Sequence, residues 1–238
     1  MRPDQATAGS PFAELQRLSL EASLPALLQL IETPDHVPSA LAIFTHSYAS
    51  PLAVMARARL QQDPAIAALV AERYWGPWPN LEALLSMPAG SLGQGFGAVL
   101  QLQGLAPMPR PDGLDQLEDH DQYLQQRVRA CHDLWHLVTG FPPTLPGEVA
   151  LNAFTARQLR QPGPALLLAA DLLARAHLAD TSPDLADAAG FGLQLGGICA
   201  PLLAQRWEEG WQEPLATWRA RLGLAEALRR SPFAAEPA

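Results

Sequence analysis

The chain has 238 residues and carries 24 acidic against 16 basic side chains, a formal net charge of −8. Its basic residues are all arginine, and nucleic-acid binding is not expected, because affinity for a phosphate backbone depends on clustered cationic side chains. The same charge disfavours purely electrostatic docking to anionic lipid, so any membrane contact should be apolar. Hydrophobic residues make up 48% of the chain and charged residues 17%, which is typical of a globular protein with a large buried core.

The cysteine count and the apolar runs indicate the redox compartment of the protein and whether the chain spans a membrane. Cys131 and Cys199 are too few for a disulfide framework and lack metal-knuckle spacing, so we expect two small buried residues in a reducing compartment. The N-terminal sequence has no apolar run of the kind that secretory signals contain. The best candidate for a membrane span, 188–205, is interrupted by four glycines and a proline, and it is shorter than the run of about 20 apolar residues that a span needs. We therefore predict a soluble or peripheral protein.

Apolar residues recur at steps of three and four along most of the chain, which predicts helices. The first such stretch is 12–32, where Pro25 is expected to separate two helices or to kink one. Asp63 and Pro64 are typical of an N-cap and a first helical position. Ser91 is predicted to begin a further helix, although the three glycines inside that helix would weaken it.

The second half of the chain continues the helical pattern. The proline-rich segment 107–113 is expected to link two helical groups of one domain, and the long helix after it is predicted to end at Gly140. Helical stretches over 147–161, 164–179 and 182–210 follow. No run alternates apolar and polar residues with period two, so no strand is predicted. We predict an all-α, single-domain multi-helix bundle over 16–226, with a flexible N-terminus (1–15) and a disordered tail (227–238).

Two histidines and two acidic residues cluster around the end of the long helix. His132 and His136 lie about 40° apart on an ideal helix, and Asp133 lies about 100° from His132. A short connection then reverses the chain, so Glu148, in the first turn of the next helix, can return towards His136. Imidazole and carboxylate ligands suit Zn²⁺, Fe²⁺, Co²⁺ or Mn²⁺, and not Ca²⁺. The spacing alone fits a divalent-metal site and a chance pair of helical histidines about equally well.

Two shorter metal motifs share parts of this pattern. The zinc-protease motif H-E-x-x-H requires a glutamate where Asp133 stands, so a protease is not expected. Metal phosphohydrolases join an HD dipeptide to distant ligands, for which His36, His46, His120 and His177 are candidates, but no flanking pattern selects one of them. A hydrolase of small phosphate esters therefore stays open as an alternative, without an evident basic cluster for the phosphate.

A longer pattern is more specific. The sequence Y-x3-R-x4-HD-x2-H-x3-G, which continues so that it contains HD-x2-H-x11-E, resembles the signature of the Coq-four family of ubiquinone biosynthesis. The residues that carry the resemblance are Tyr123, Arg127, His132, Asp133, His136, Gly140, Gly147 and Glu148. Segments 87–100 and 206–224 are also similar to that family, so the likeness extends over residues 20–224.

The resemblance implies an all-α fold, a metal centre and an activity. Its proposed metal ligands correspond to His132, Asp133, His136 and Glu148, with zinc as the first expectation and cobalt, iron or manganese as alternatives. The implied reaction is a lyase-type oxidative decarboxylation at C1 of a polyprenylated 4-hydroxybenzoate-type ring, in which a hydroxyl replaces the carboxylate. The alternative within the family is a non-catalytic scaffold that binds prenyl lipid.

Arg127 and Tyr123 are further candidate catalytic residues. Arg127 lies about 140° from His132 on an ideal helix, so we expect it to form an ion pair within the fold rather than to hold the substrate. For Tyr123, a structural role and a catalytic role are both open. Phe96 departs from the family pattern, which commonly has tyrosine there, and therefore bears on ring specificity.

The resemblance also implies partners and a location. We expect a polyprenylated aromatic lipid as substrate, a homodimer, other quinone-biosynthesis enzymes, and a cytoplasmic protein peripheral to the inner membrane. The apolar stretches 164–179 and 190–204 are expected to pack in the core or to receive the prenyl chain. Gly192 and Gly196, four residues apart, would permit either a close helix contact or room for that chain.

Overall fold

A computed structural model describes residues 10–34, 36–114, 120–179, 181 and 183–233. Within these ranges the chain forms α-helices and two short 3₁₀-helices and no strand, which confirms the all-α prediction. The α-helices are α1 (Pro11–Glu32), α2 (Val37–Tyr48), α3 (Pro51–Leu60), α4 (Pro64–Glu72), α5 (Leu81–Leu85), α6 (Leu92–Gln103), α7 (His120–Thr139), α8 (Leu145–Leu159), α9 (Pro162–Ala174), α10 (Leu185–Ile198), α11 (Leu215–Arg221) and α12 (Ala225–Leu228). The 3₁₀-helices are Leu202–Ala204 and Trp207–Glu209.

The helix starts follow the local sequence. The Asp63 carboxylate accepts hydrogen bonds from the backbone N–H groups of Ala65 (2.8 Å) and Ile66 (3.3 Å) at the start of α4. The Ser91 hydroxyl accepts one from the N–H of Gln94 (3.2 Å) at the start of α6. Both predicted caps are confirmed, because each satisfies backbone donors that the first helical turn leaves unpaired.

The ends of the chain differ from the predicted boundaries. Helix α1 begins at Pro11, inside the segment 1–15 that we predicted to be flexible, and Pro25 lies inside a single helix that it does not divide. At the other end, within the tail 227–238 that we predicted to be disordered, the ring of Phe233 lies 5.5 Å from the ring of Phe141. The remaining predicted flexible residues, 1–9 and 234–238, lie outside the described ranges.

Two apolar clusters hold the helices in one bundle. The larger cluster is built mainly from α6, α7, α8, α10 and the C-terminal helices. The smaller one joins α1 and α2 to α9 and contains Ala26, Leu30, Ile43, Leu167 and Ala170. Because α9 follows the 107–113 linker while α1 and α2 precede it, the two helical groups predicted from the sequence pack together. Helix α9 also packs on α8, which carries the candidate acidic ligand.

Helices α8 and α10 touch backbone to backbone. A Cβ atom on Gly192 would lie 2.1 Å from the carbonyl oxygen of Ala150, and one on Gly196 would lie 2.8 Å from that of Phe154. Of the two roles considered for these glycines, the structure therefore shows the close helix contact. Helix α10 ends at Ile198, before Pro201, and not near residue 210 as the apolar pattern suggested.

We expect Gly192→Ala to destabilise the protein by about 1–3 kcal/mol, because the added methyl group overpacks the contact with α8. Thermal and urea unfolding would measure this loss. Gly190→Ala is a matched control on the same helix, since a Cβ there meets nothing within 4 Å. This control should stabilise the fold by up to about 1 kcal/mol, because alanine favours a helix over glycine. Equal effects of both substitutions would contradict the close contact.

None of the helices in the described ranges combines the length and the apolar character that crossing a bilayer requires.

Candidate metal centre

A tight reversal of the chain brings Glu148 back to the end of α7. Gly140 ends that helix with φ 71°, a left-handed conformation that glycine adopts without strain. The carbonyl of Pro142 then accepts a hydrogen bond from the N–H of Thr144 at 2.8 Å. Gly147 lies so near this turn that a Cβ atom would come 1.8 Å from the Pro142 oxygen. The predicted connection therefore depends on two glycines and places Glu148 in the first turn of α8.

His132, His136 and Glu148 form one group, whose ligand atoms all lie within 4.8 Å of one another. Nε2 of His136 is 3.0 Å from Oε1 of Glu148, and Nε2 of His132 is 3.7 Å from Oε2. The His136 side chain is only 2% exposed, whereas those of His132 and Glu148 are 43% and 40% exposed. The group is therefore anchored on a buried imidazole and open to solvent on the side of the other two residues.

The hydrogen bonds of His136 fix which ring nitrogen is free. Its Nδ1 lies 3.0 Å from the backbone oxygen of Phe141, and a carbonyl oxygen only accepts, so Nδ1 carries the hydrogen. In the neutral ring, the Nε2 lone pair then faces the carboxylate of Glu148. This Nε2 is buried, and its contact with Glu148 Oε1 at 3.0 Å is an ion pair when the ring is protonated and leaves a lone pair without a donor when the ring is neutral. Two facing acceptors repel each other unless a cation or a proton lies between them, and this geometry fits a metal ligand.

The charges of the group reinforce one another. Burial alone would raise the pKa of Glu148, but the adjacent imidazoles of His132 and His136 hold it well below its usual range. Desolvation alone would lower the pKa of His132, yet Glu148, with a smaller contribution from Asp133, raises it. The site therefore holds an ionised carboxylate that favours a positive charge beside it.

Asp133 does not join this group. The cluster of potential ligand atoms in the described residues contains His132, His136 and Glu148 alone. An aspartate one position after His132 points about 100° away from it on an ideal helix, and its short side chain does not bridge that angle. Three of the four predicted ligands therefore come together in the described residues, and Asp133 lies outside this group.

Arg127 and Tyr123 are engaged within the fold. Arg127 is fully buried. It forms a bidentate ion pair with Glu208 and donates a hydrogen bond to the backbone oxygen of Gln205 at 2.8 Å. Tyr123 is also fully buried and donates its hydroxyl hydrogen to the backbone oxygen of Tyr74 at 2.8 Å. The expected ion pair of Arg127 is confirmed. Both side chains therefore have structural roles, although Nε of Arg127 is buried without a hydrogen-bond partner in the described residues; a catalytic role for either stays a prediction.

The remaining candidates also have structural roles. Phe96 is buried and stacks on Trp211, with ring centroids 5.8 Å apart. Both cysteines are buried, as predicted. His36 pairs with the hydroxyl of Ser39 and His120 with the side chain of Gln61. In the part of the chain that the structure describes, no distant histidine completes a phosphohydrolase-type site with His132.

The sequence analysis missed one acidic residue near the centre. Asp171 on α9 is 5% exposed, and the Asn152 side-chain amide of α8 donates a long hydrogen bond of 3.4 Å to it. Burial raises the pKa of Asp171 to about 7, the hydrogen bond from Asn152 opposes this, and the charge of Glu148 adds to it. A single aspartate inside the apolar stretch PALLLAADLLA was the signal that could have identified it.

Comparison with known proteins identifies relatives over most of the chain. The family described as "Coenzyme Q (ubiquinone) biosynthesis protein Coq4" matches residues 12–227. The mitochondrial ubiquinone biosynthesis protein of Talaromyces stipitatus is 32% identical over 146 residues, which are 61% of this chain and 50% of that protein. The corresponding protein of Aspergillus flavus is 41% identical over 75 residues, 31% of this chain and 26% of that protein. The chain thus matches half or less of the length of these curated relatives.

The fold has a counterpart of known structure. A crystal structure from Nostoc punctiforme PCC 73102, of a protein provisionally assigned to ubiquinone biosynthesis, superposes with a TM-score of 0.74 at 24% sequence identity. The superposition covers 86% of this chain and 98% of that one, which supports the single-domain all-α fold. The family match also includes the segment 20–224 on which the resemblance was based. Since the family match covers most of the chain, this protein belongs to the Coq4 family of coenzyme Q (ubiquinone) biosynthesis proteins.

Proposed function

We propose that this protein is a divalent-metal-dependent, lyase-type enzyme of ubiquinone biosynthesis. Its substrate would be a polyprenylated 4-hydroxybenzoate-type ring, whose C1 carboxylate is replaced by a hydroxyl. The observation that carries the proposal is the convergence of His132, His136 and Glu148, in which the buried Nε2 of His136 lies 3.0 Å from the Glu148 carboxylate.

The three side chains fit a catalytic metal site. Three protein ligands from histidine and glutamate are the usual set of a catalytic zinc centre, which keeps a further coordination position open. The hydrogen bond to Phe141 orients His136, and the turn after Gly140 fixes Glu148. A bound divalent cation would supply Lewis acidity towards the carboxylate or phenolate oxygen of the ring. Zinc is our first expectation, with cobalt, iron or manganese as alternatives.

The exposed side of the site is where we expect the ring to bind. His132 and Glu148 are about two-fifths exposed while His136 is buried, so a ring can approach only from their side. The conversion loses CO₂, gains a hydroxyl and releases two electrons, so it also needs an external oxidant.

Exposed apolar side chains on α9 and on the helices packed against it support a lipid substrate. On α9, Leu172 and Leu173 follow Asp171 and are 37% and 56% exposed. The neighbouring helices α1 and α2 expose further apolar side chains, among them Leu24, Leu28, Val37 and Leu41. Exposed apolar surface of this kind marks contact with lipid or protein, so we propose peripheral attachment to a membrane. The homodimer, the other quinone-biosynthesis enzymes and the cytoplasmic location stay predictions.

The decisive experiment incubates zinc-loaded protein with a short-chain prenylated 4-hydroxybenzoate, with and without O₂, and follows the product by mass spectrometry. The wild type should release CO₂ and add one oxygen atom to the ring under O₂. Glu148→Gln should lose both the bound zinc and this conversion, because the amide has no negative charge to offer the cation.

The control is Glu82→Gln, which makes the same change at an exposed position of α5. It should retain zinc and turnover, and both variants should melt as cooperatively as the wild type. A Glu148→Gln protein that loses zinc but still supports quinone production in cells would favour the alternative, a non-catalytic prenyl-lipid scaffold. Conversion by Glu148→Gln at the wild-type rate would refute the proposed site.

A further inference from the structure

Asp171 is the one acidic residue on the buried stripe of α9. The buried residues of that helix are Gly163, Pro164, Leu167, Ala170, Asp171 and Ala174. Its side chain faces α8, where Asn152, four residues after Glu148, donates the 3.4 Å hydrogen bond to Oδ2. Residues four apart lie on the same face of a helix, so Asp171 and the metal centre share one side of α8.

No cation in the described structure balances this carboxylate. Helices α1, α2, α8 and α10 pack against α9. Their charged and titratable side chains other than Glu148 are Glu14, Arg17, Glu21, Glu32, His46, Tyr48, Arg157 and Asp187. None of these groups affects the ionisation of Asp171 or forms an ion pair with it in the described ranges; only Asn152 and Glu148 act on it. A buried carboxylate without a positive partner is costly to ionise. Carboxylates of this kind occur preferentially at functional sites.

We propose that Asp171 is a positioning residue of the metal centre, whose carboxyl group, held through Asn152 on α8, acts as a second, uncoordinated negative charge beside Glu148 when a divalent cation binds. The proposal rests on the proposed function, since it requires a cation at His132, His136 and Glu148. It adds a residue that lies outside the group of ligand atoms.

The ionisation of Asp171 gives this role a measurable signature. Its pKa of about 7 in the cation-free protein has two causes, burial first and the charge of Glu148 second, while Asn152 opposes them. A cation bound to Glu148 offsets the negative charge there, so cation binding and ionisation of Asp171 favour each other. Below its pKa, Asp171 is protonated and contributes little to cation affinity. Above its pKa, its full negative charge strengthens cation binding.

The test is zinc titration of cation-free wild type and Asp171→Asn at about pH 6 and about pH 8, either side of the Asp171 pKa of about 7. The ratio of the two affinities isolates Asp171, because protonation of the histidine ligands weakens both proteins alike. We expect a ratio near one at the lower pH and about tenfold tighter binding by the wild type at the higher pH, the size of an outer-shell effect. Asp187→Asn, an exposed change on α10, should match the wild type at both values.

A second variant moves the transition and leaves the acid in place. Asn152→Ala removes the hydrogen bond that lowers the pKa of Asp171, so the rise in zinc affinity with pH should shift to higher pH. It also guards against misfolding of Asp171→Asn, and circular-dichroism melting reports whether each variant is folded.

Stability of the cation-free protein is an independent readout. An acid whose pKa is raised in the folded state makes the fold less stable as pH rises from its unfolded pKa towards about 7. Asp171→Asn should therefore gain stability relative to the wild type between about pH 5 and about pH 8. An affinity ratio that is the same at both pH values, in folded proteins that bind zinc, would overturn the role of Asp171 and leave the proposed function intact. Folded wild type that binds no zinc would overturn both.

Discussion

Replacing His136 by asparagine is expected to remove the metal and leave the fold intact. The amide nitrogen of asparagine lies about where Nδ1 of histidine lies, so it can still donate to the backbone oxygen of Phe141. Nothing then reaches the position of Nε2, the buried atom that faces Glu148. Loss of an outer-shell partner lowers metal affinity about 10–100-fold. We expect the loss of His136, a proposed direct ligand, to lower zinc affinity by more than this.

Zinc content by elemental analysis, a competitive zinc titration and thermal melting would check this result. His177→Asn, which makes the same change at an exposed histidine, should keep full zinc binding. His136→Gln makes the opposite exchange, since its longer amide reaches towards the Nε2 position and gives up the contact with Phe141. We expect that variant to be less stable than His136→Asn. Stoichiometric, tight zinc in the asparagine variant would exclude His136 as a ligand.

Arg127→Ala is expected to lower the free energy of unfolding by about 3–5 kcal/mol, the usual cost of breaking a buried ion pair. The side chains of Arg127 and Glu208 are both 0% exposed, so the substitution leaves a buried carboxylate whose remaining side-chain donor is the indole N–H of Trp78 at 2.9 Å. Because a domain is typically stable by about 5–15 kcal/mol, a loss of this size would leave a marginal fold. Urea denaturation would measure it.

The same helix provides the control. Arg129 is exposed two residues further along α7, and Arg129→Ala should change stability by no more than about 0.5 kcal/mol. The double variant with Arg127→Met and Glu208→Leu should be more stable than Arg127→Ala, since it leaves no unpaired buried charge. If Arg127→Ala is as harmless as Arg129→Ala, the pair contributes nothing to the fold and Arg127 becomes a functional candidate again.

Local signals in the sequence predicted the elements that short-range chemistry decides. The caps at Asp63 and Ser91 and the end of α7 at Gly140 depend on residues within one helical turn. The effect of Pro25 on its helix was harder to predict from the sequence, because it depends on how that helix packs. Ser23, Ala26 and Leu30 are buried on one stripe of α1, and this contact with α2 and α9 holds the helix together across the proline. The end of α10 was placed too late because its apolar pattern continues beyond Ile198.

The candidate site was predictable to the extent that it lies on one connected segment. The spacing from His132 to Glu148 crosses a single turn, so the sequence was enough to bring those residues together. The angle of about 100° between Asp133 and His132 on an ideal helix is already contained in the pattern, and the structure keeps Asp133 outside the group of ligand atoms. Asp171 lies on a separate helix, and only the packing of α9 on α8 brings it near Glu148.

The glycine-mediated contact between α10 and α8 has a consequence for which ions the proposed metal site could accept. With the backbone of α10 directly against that of α8 at Ala150, there is no intervening layer of side chains that could rearrange to let the glutamate-bearing helix move. If the proposed metal binds, adjustment to ions of different radius would fall mainly to the partly exposed imidazole of His132 on α7. The preference among metals would then depend on how far the side chain of His132 can move.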